Sequence, residues 1–130
     1  MNPYFFATFA RPPIETEKKL ELLCRAASER KAEDIVIMEM NQKSALSDFF
    51  VVMSASSTVR VKAIVDSIDE SLSDAGERVR HREGYAEASW VLLDYGEVIV
   101  HVFHHETRKF YNLENLWGDA PKRHFVWGAQ

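Results

Sequence analysis

The chain has 130 residues, and its 16 lysines and arginines stand against 20 aspartates and glutamates, a formal net charge of −4. This length predicts one domain whose core needs no disulfide or structural metal. The negative charge argues against a protein held mainly by nucleic-acid phosphates. The single cysteine, Cys24, cannot form an internal disulfide, and no run approaches the roughly 20 apolar residues that span a bilayer. Residues 1–10 lack the pattern of a signal peptide, so we expect a cytoplasmic protein.

Proline residues separate a short N-terminal arm from the rest of the chain. Pro12 and Pro13 stop regular structure before Glu15. Residues 1–13 are therefore predicted as an arm, residues 14–120 as the folded domain and residues 121–130 as a C-terminal tail.

Apolar residues at helical spacing predict two longer helices. The first runs from Thr16, as its N-cap, to about Arg30, with Glu17 and Lys19 exposed. The second begins at a serine or threonine cap among residues 56–58 and ends at Gly76. Its predicted core stripe is Val61, Ile64, Val65, Ile68 and Leu72.

Five short runs predict strands, at residues 35–39, 48–54, 78–82, 89–93 and 98–103. The last two form a hairpin, because Gly96 in the Asp94-Tyr95-Gly96-Glu97 turn can take a positive φ. Short helical turns are predicted between Glu106 and Trp117. This mixed order predicts an α/β fold, a mixed sheet with helices packed on it.

The hairpin is apolar on both faces. Alternation places Trp90, Leu92 and Asp94 on one face, and Val91, Leu93 and Tyr95 on the other. Such a hairpin either lies between two layers or presents one face to a partner.

Two sequence runs resemble a known signature. Trp-Val-Leu-Leu-Asp-Tyr-Gly-Glu-Val-Ile-Val-His-Val-Phe spans residues 90–103, and Phe-Tyr-Asn-Leu-Glu-Asn-Leu-Trp-Gly spans residues 110–118. Both are similar to the ribosomal silencing factor family, also called the Iojap-related family. Segments 33–37, 47–54 and 59–64 match in the same order, so the resemblance covers nearly the whole chain. Ala55 departs from it, since the family more often has glycine there, which bears on the turn geometry.

The resemblance implies a nucleotidyltransferase-like fold without the catalytic residues, hence no enzyme and no cofactor. It implies a protein that binds the large ribosomal subunit at ribosomal protein number fourteen and sterically blocks joining of the small subunit. Translation would then fall under nutrient limitation, as in stationary phase, and a role in large-subunit biogenesis is also implied. A homodimer of the free protein, formed through the apolar hairpin face, is a further expectation.

Large apolar side chains beside a polar turn are typical of interface hot spots. The resemblance implies that this hairpin contacts the ribosomal protein; the residues carried over by motif are Trp90, Leu92, Asp94 and Tyr95, and Tyr111 and Trp117 are further aromatic candidates. For Trp90, Tyr111 and Trp117, packing in the core is the alternative.

The sequence also suggests three other kinds of site: a nucleotide and Mg²⁺ site, a zinc site and an RNA-binding site. A metal-dependent nucleotidyltransferase would hold phosphate at Ser54 to Ser57 and Mg²⁺ at carboxylates such as Asp94. That loop has no acidic residue, however, and turn formation explains Asp94.

Clustered histidines and a strand of arginines give the other two sites. A zinc site is suggested by His101, His104, His105 and Glu106, but zinc-binding helix spacing is missing, and no metal is predicted. A small RNA-binding module, or a peripheral contact with ribosomal RNA, would use Arg78, Arg80 and Arg82. An exposed edge strand protected by charge explains the arginines equally well.

Overall fold

The computed structural model describes residues 14–40 and 47–127. Its helices are α1 (Thr16–Glu29), α2 (Thr58–Asp74), α3 (His105–Tyr111) and α4 (Leu113–Leu116). Its strands are β1 (Glu33–Glu39), β2 (Phe49–Ala55), β3 (His81–Glu83), β4 (Trp90–Asp94), β5 (Val98–His104) and β6 (Lys122–His124).

In the described part of the chain the strands form one sheet in the order β3-β4-β5-β2-β1-β6. Strands β2 and β5 pair in parallel, and the other neighbours pair antiparallel. The predicted α/β fold with a mixed sheet is therefore confirmed.

The two long helices pack together on one face of the sheet and bury the larger core. The predicted stripe of α2 is buried in full, and its start is capped by Ser57, whose Oγ accepts a hydrogen bond from the Arg60 N–H at 3.1 Å. The cap of α1 is Glu15, not Thr16, and its side chain makes no capping hydrogen bond. No helix among residues 14–40 and 47–127 is long and apolar enough to cross a membrane.

The opposite face of the sheet has a smaller core. Its buried members are Val36, Met38, Met40, Val52, Phe103 and Ala120. The short segment of α3 and α4 covers this face only in part, so large side chains of the sheet remain half-buried there.

Two sequence predictions require correction. The predicted tail contains β6, which pairs antiparallel with β1 and extends the fold past residue 120. Its residues, Lys122-Arg123-His124, are all exposed, so no apolar alternation marked them as a strand. Lys19, predicted as exposed, is buried. The predicted arm at 1–13 lies outside the described residues.

Candidate partner-binding surface

The two faces of the β4–β5 hairpin have different environments. Val91, Leu93 and Tyr95 are buried against the helices, whereas Trp90 and Leu92 are half-buried on the other side. Tyr95 is only 2% exposed, and its hydroxyl donates to Asp69 Oδ1 of α2 at 3.4 Å. Burial raises the pKa of Tyr95 above its ordinary value. Tyr95 was predicted to contact the partner directly. This prediction is corrected, because alternation along the hairpin places the Tyr95 side chain in the core.

Aromatic rings form a continuous row from the small core to the surface. The Trp90 ring lies 4.9 Å from Phe103 and 4.8 Å from Tyr111, and Tyr111 lies 5.0 Å from Phe110, centroid to centroid. Tyr111 is 51% exposed and Phe110 is 80% exposed. We call this surface the aromatic face and define it as Phe50, Trp90, Leu92, Phe110 and Tyr111.

The sequence-based site did not include two of these residues. Phe50 is half-buried and faces His101 across 4.9 Å, and Phe110 is the most exposed large ring in the described chain. A signal for Phe110 was present: successive residues of a helix point about 100° apart, so Phe110 and Tyr111 cannot both face the sheet. Trp117 is half-buried against the small core, as Phe50 and Trp90 are, but none of the described ring contacts joins it to the aromatic row, which suits its alternative role in packing.

Arg108 fastens the segment that carries Phe110 and Tyr111. Its Nη1 atom donates to Ser54 Oγ at 3.0 Å and to the Glu33 carbonyl at 3.3 Å. Its Nη2 atom contacts Glu114 Oε2 at 2.8 Å, which joins α3 to α4. A largely buried, paired guanidinium of this kind fixes orientation, so the aromatic row is held in place from the ends of the interior strands β1 and β2.

Lys19 anchors the hairpin turn from the helix side. Its Nζ atom lies 2.7 Å from Glu77 Oε1 and 2.6 Å from Glu97 Oε1, and it donates to the Tyr95 carbonyl at 3.3 Å. Burial alone lowers the pKa of Lys19, but its bonds and attraction to the two carboxylates prevail and raise it. Burial likewise opposes ionisation of Glu97, yet contact with Lys19 lowers its pKa overall.

The turn itself uses Asp94 structurally. Asp94 Oδ1 accepts a hydrogen bond from the Gly96 N–H at 2.8 Å, and Gly96 has a φ of +90°. Asp94 pairs with Ile99, which pairs with Phe50, whereas the proposed phosphate loop starts four residues further along β2, at Ser54. That separation is about 13 Å along the strand. Asp94 therefore lies at the wrong end of the sheet to hold a metal beside Ser54 to Ser57.

The clustered histidines have separate structural roles. Nδ1 of His101 accepts from the Trp90 indole N–H at 3.1 Å, and Nδ1 of His104 caps α3 by accepting from the Glu106 N–H at 3.3 Å. The His105 imidazole lies 3.2 Å from Glu33 Oε2. Within residues 14–40 and 47–127, no three histidine, cysteine or acidic side chains are placed to hold a metal ion.

The predicted basic residues lie at the β3 edge. Arg78, Arg80 and Arg82 are exposed. The Arg82 guanidinium lies 4.4 Å from the centroid of the Tyr85 ring. Because Arg82 pairs with Leu93, its side chain is on the helix side of the sheet, opposite the aromatic face.

Gly84 permits a close approach at the border of the aromatic face. It has a φ of +84°, and a Cβ there would lie 2.1 Å from the Trp90 carbonyl oxygen. We expect Gly84→Ala to lower the free energy of unfolding by more than about 1 kcal/mol. Backbone strain alone costs about 1–3 kcal/mol, and the added Cβ also collides with the Trp90 carbonyl oxygen. Urea denaturation measures the loss. Gly118→Ala is the control, since a Cβ there lies 3.2 Å from the Asn115 carbonyl oxygen and no positive φ is involved. Equal losses in the two variants would contradict this role of Gly84.

Known proteins are similar to this chain in sequence and in fold. The family model described as ribosomal silencing factor during starvation matches residues 13–127. A ribosomal silencing factor of Halalkalibacterium halodurans is 40% identical over 108 residues, which cover 83% of this chain and 92% of that protein. A ribosomal silencing factor of Bacillus subtilis is 42% identical over 102 residues, which cover 78% of this chain and 86% of that protein. A crystal structure of a Chromobacterium violaceum protein superposes with a TM-score of 0.79 at 30% identity and covers 90% of this chain and 98% of that one. The resemblance seen in the hairpin is thus confirmed, and the chain belongs to the ribosomal silencing factor family.

Proposed function

We propose that this protein binds the large ribosomal subunit through its aromatic face, at ribosomal protein number fourteen, and prevents the small subunit from joining. The observation that carries the proposal is the row of Trp90, Tyr111 and Phe110, whose exposure increases outward from the small core. Exposed aromatic rings beside a rigid sheet are the composition of an interface hot spot. Trp90, Leu92 and Tyr111 are the proposed contacts retained from the sequence, with Phe50 and Phe110 added.

Three of the residues predicted to bind the partner have supporting positions in the proposed interface. Asp94 lies on the same side of β4 as Trp90 and Leu92, so it borders the proposed contact. Tyr95 supports the turn from the core, and Trp117 supports the covering segment. The proposed interface is thus built on a sheet whose other face is fixed by α1 and α2.

The proposed mechanism makes and breaks no bond. The bound domain occupies surface that the small subunit needs, so repression follows affinity and concentration. Translation in the cytoplasm falls when nutrients are scarce and the factor is in use. The same surface would serve in large-subunit maturation, and in a homodimer of the free protein that must open before binding.

A peripheral contact with ribosomal RNA is a second, smaller proposal. Arg78 and Arg80 border the sheet edge beyond β4, next to the hairpin, where the Arg80 guanidinium lies beside Gly96. Since the net charge is −4, phosphate contacts would supplement the apolar contact and not replace it.

Sedimentation with separated subunits and with assembled ribosomes tests the proposal, at low and at high salt. We expect the protein to migrate with the free large subunit, with weak dependence on salt. Loss of binding at high salt would instead favour an RNA-binding module, because counterion release makes phosphate contacts strongly salt-dependent. No binding to any subunit would contradict the proposal, and turnover of nucleotides with Mg²⁺ would then be assayed.

A further inference from the structure

His101 has a buried hydrogen-bond donor for which the described residues supply no acceptor. Its Nδ1 atom accepts from the Trp90 indole N–H at 3.1 Å. A neutral imidazole that accepts at Nδ1 carries its proton on Nε2. Burial lowers the pKa of His101 to about 4, so the neutral ring is the form present at pH 7. Nε2 is buried, and no atom of the described residues makes a hydrogen bond with it.

An unpaired buried donor is costly. It destabilises a protein by about 1–3 kcal/mol, and native structures retain few of them. The Phe50 ring lies 4.9 Å from the imidazole at an interplanar angle of 62°, but an N–H contact with a ring is far weaker than a bond to oxygen. Within residues 14–40 and 47–127, this donor is therefore left without a hydrogen-bond acceptor.

The position of His101 connects the donor to the aromatic face. His101 lies in β5 between Leu92 of β4 and Val52 of β2, and it is 4% exposed. Nε2 is at the end of the imidazole far from Cβ, hence on the outer side of the ring. The imidazole is flanked by Phe50, Trp90 and Leu92, which are half-buried members of the aromatic face, and the buried Phe103 ring lies 6.3 Å from it, centroid to centroid. His101 therefore packs directly against side chains of the proposed interface.

We propose that the protein partner of the aromatic face supplies an oxygen acceptor, a backbone or side-chain carbonyl or a carboxylate, to His101 Nε2–H. This inference rests on the proposed function. On docking, the half-buried side chains over the imidazole move, most simply by rotation of the Phe50 ring, so that the partner's oxygen can reach Nε2–H. His101 then determines specificity: a partner with an apolar atom at that point leaves the donor unpaired and binds more weakly.

Two variants separate this role from a purely structural one. His101→Asn keeps an oxygen at the Nδ1 position, for the Trp90 N–H, but has nothing at the Nε2 position. His101→Gln places an N–H donor near the Nε2 position and loses the ideal acceptor for Trp90. The His101→Asn variant should therefore be at least as stable to unfolding as His101→Gln. The His101→Gln variant should bind the partner more tightly, because only its side chain can donate to the partner's oxygen.

Affinity for purified large ribosomal subunits is measured for the wild type and both variants, with thermal unfolding of each alongside. We expect Gln to bind about tenfold or more tightly than Asn, the effect of one unpaired group in an interface. Wild-type binding with equal affinities for Asn and Gln, or with Asn tighter, would overturn the inference but leave the proposed function. No wild-type binding would overturn both.

A second measurement decides the matter if a variant fails to fold. In wild-type protein with ¹⁵N-labelled histidine and tryptophan, the His101 Nε2–H and Trp90 Nε1–H protons are followed by nuclear magnetic resonance on addition of isolated ribosomal protein number fourteen. We expect the His101 proton to move downfield as it acquires an oxygen acceptor. A complex in which this signal stays unchanged while those of the Trp90 indole shift would overturn the inference.

Discussion

Trp90→Ala should weaken binding to the large subunit by more than about 2 kcal/mol, roughly 30-fold, because aromatic anchors carry most of the energy of an interface. Trp90 is central in the aromatic row, with Phe103 on its inner side and Tyr111 on its outer side. Removing the indole takes away its own contact and the support of Tyr111. Titration of fluorescently labelled protein with large subunits measures the change.

Trp127→Ala is the matched control. Trp127 is also partly exposed, but its ring packs against the Arg25 guanidinium of α1, 4.2 Å from the ring centroid, away from the aromatic face. A second variant, Phe110→Ala, removes a ring that is 80% exposed and adds little to folding. The assignment fails if Trp90→Ala and Phe110→Ala both stay folded and bind as tightly as Trp127→Ala.

Lys19→Met should lower the free energy of unfolding by about 3 kcal/mol, at the lower end of the range for breaking a buried ion pair. The Met side chain fills a similar volume but leaves Glu77 and Glu97 without their shared cation. These carboxylates are half-buried, with 17% and 29% of their side chains exposed, and they repel each other once the cation is gone. Because Glu97 is in the hairpin turn, the turn should also become more mobile, which hydrogen exchange of residues 94–98 would detect.

Lys18→Met is the control for Lys19→Met. Lys18 is the adjacent residue, and its ion pair with Glu21, at 3.4 Å, is exposed on both sides. Exposed pairs contribute at most about 1 kcal/mol, so urea denaturation should show little change in this variant. Similar losses for the two substitutions would mean that the Lys19 pair is no stronger than a surface contact.

Sequence periodicity was sufficient for the elements with a clear apolar pattern. The α2 stripe and the hairpin were both predictable, since burial on one side imposes a period of 3.6 or 2. The same alternation already separated Tyr95 from Trp90. The prediction of Tyr95 as a contact was carried over from the family motif, whereas the structure buries its side chain in the core.

Long-range pairing explains what periodicity could not show. Lys19 was predicted as exposed because lysine usually is, and its burial is made tolerable by Glu77 and Glu97, brought in from two distant segments, together with the Tyr95 carbonyl. Strand β6 was missed because exposed polar residues carry no strand pattern, and pairing with β1 creates it. The parallel pairing of β2 with β5 brings Phe50 against His101, and the spacing of residues in the sequence does not reveal this long-range contact.

The measurement that tests the central claim most directly is subunit joining, followed by light scattering after small subunits are mixed with large subunits preloaded with this protein. Steric blockade predicts that the joined fraction falls in proportion to occupancy, and that Trp90→Ala at equal concentration restores joining. Full joining with the wild-type protein still bound to the assembled ribosomes would contradict blockade, because the aromatic face would then occupy a surface that the small subunit does not need.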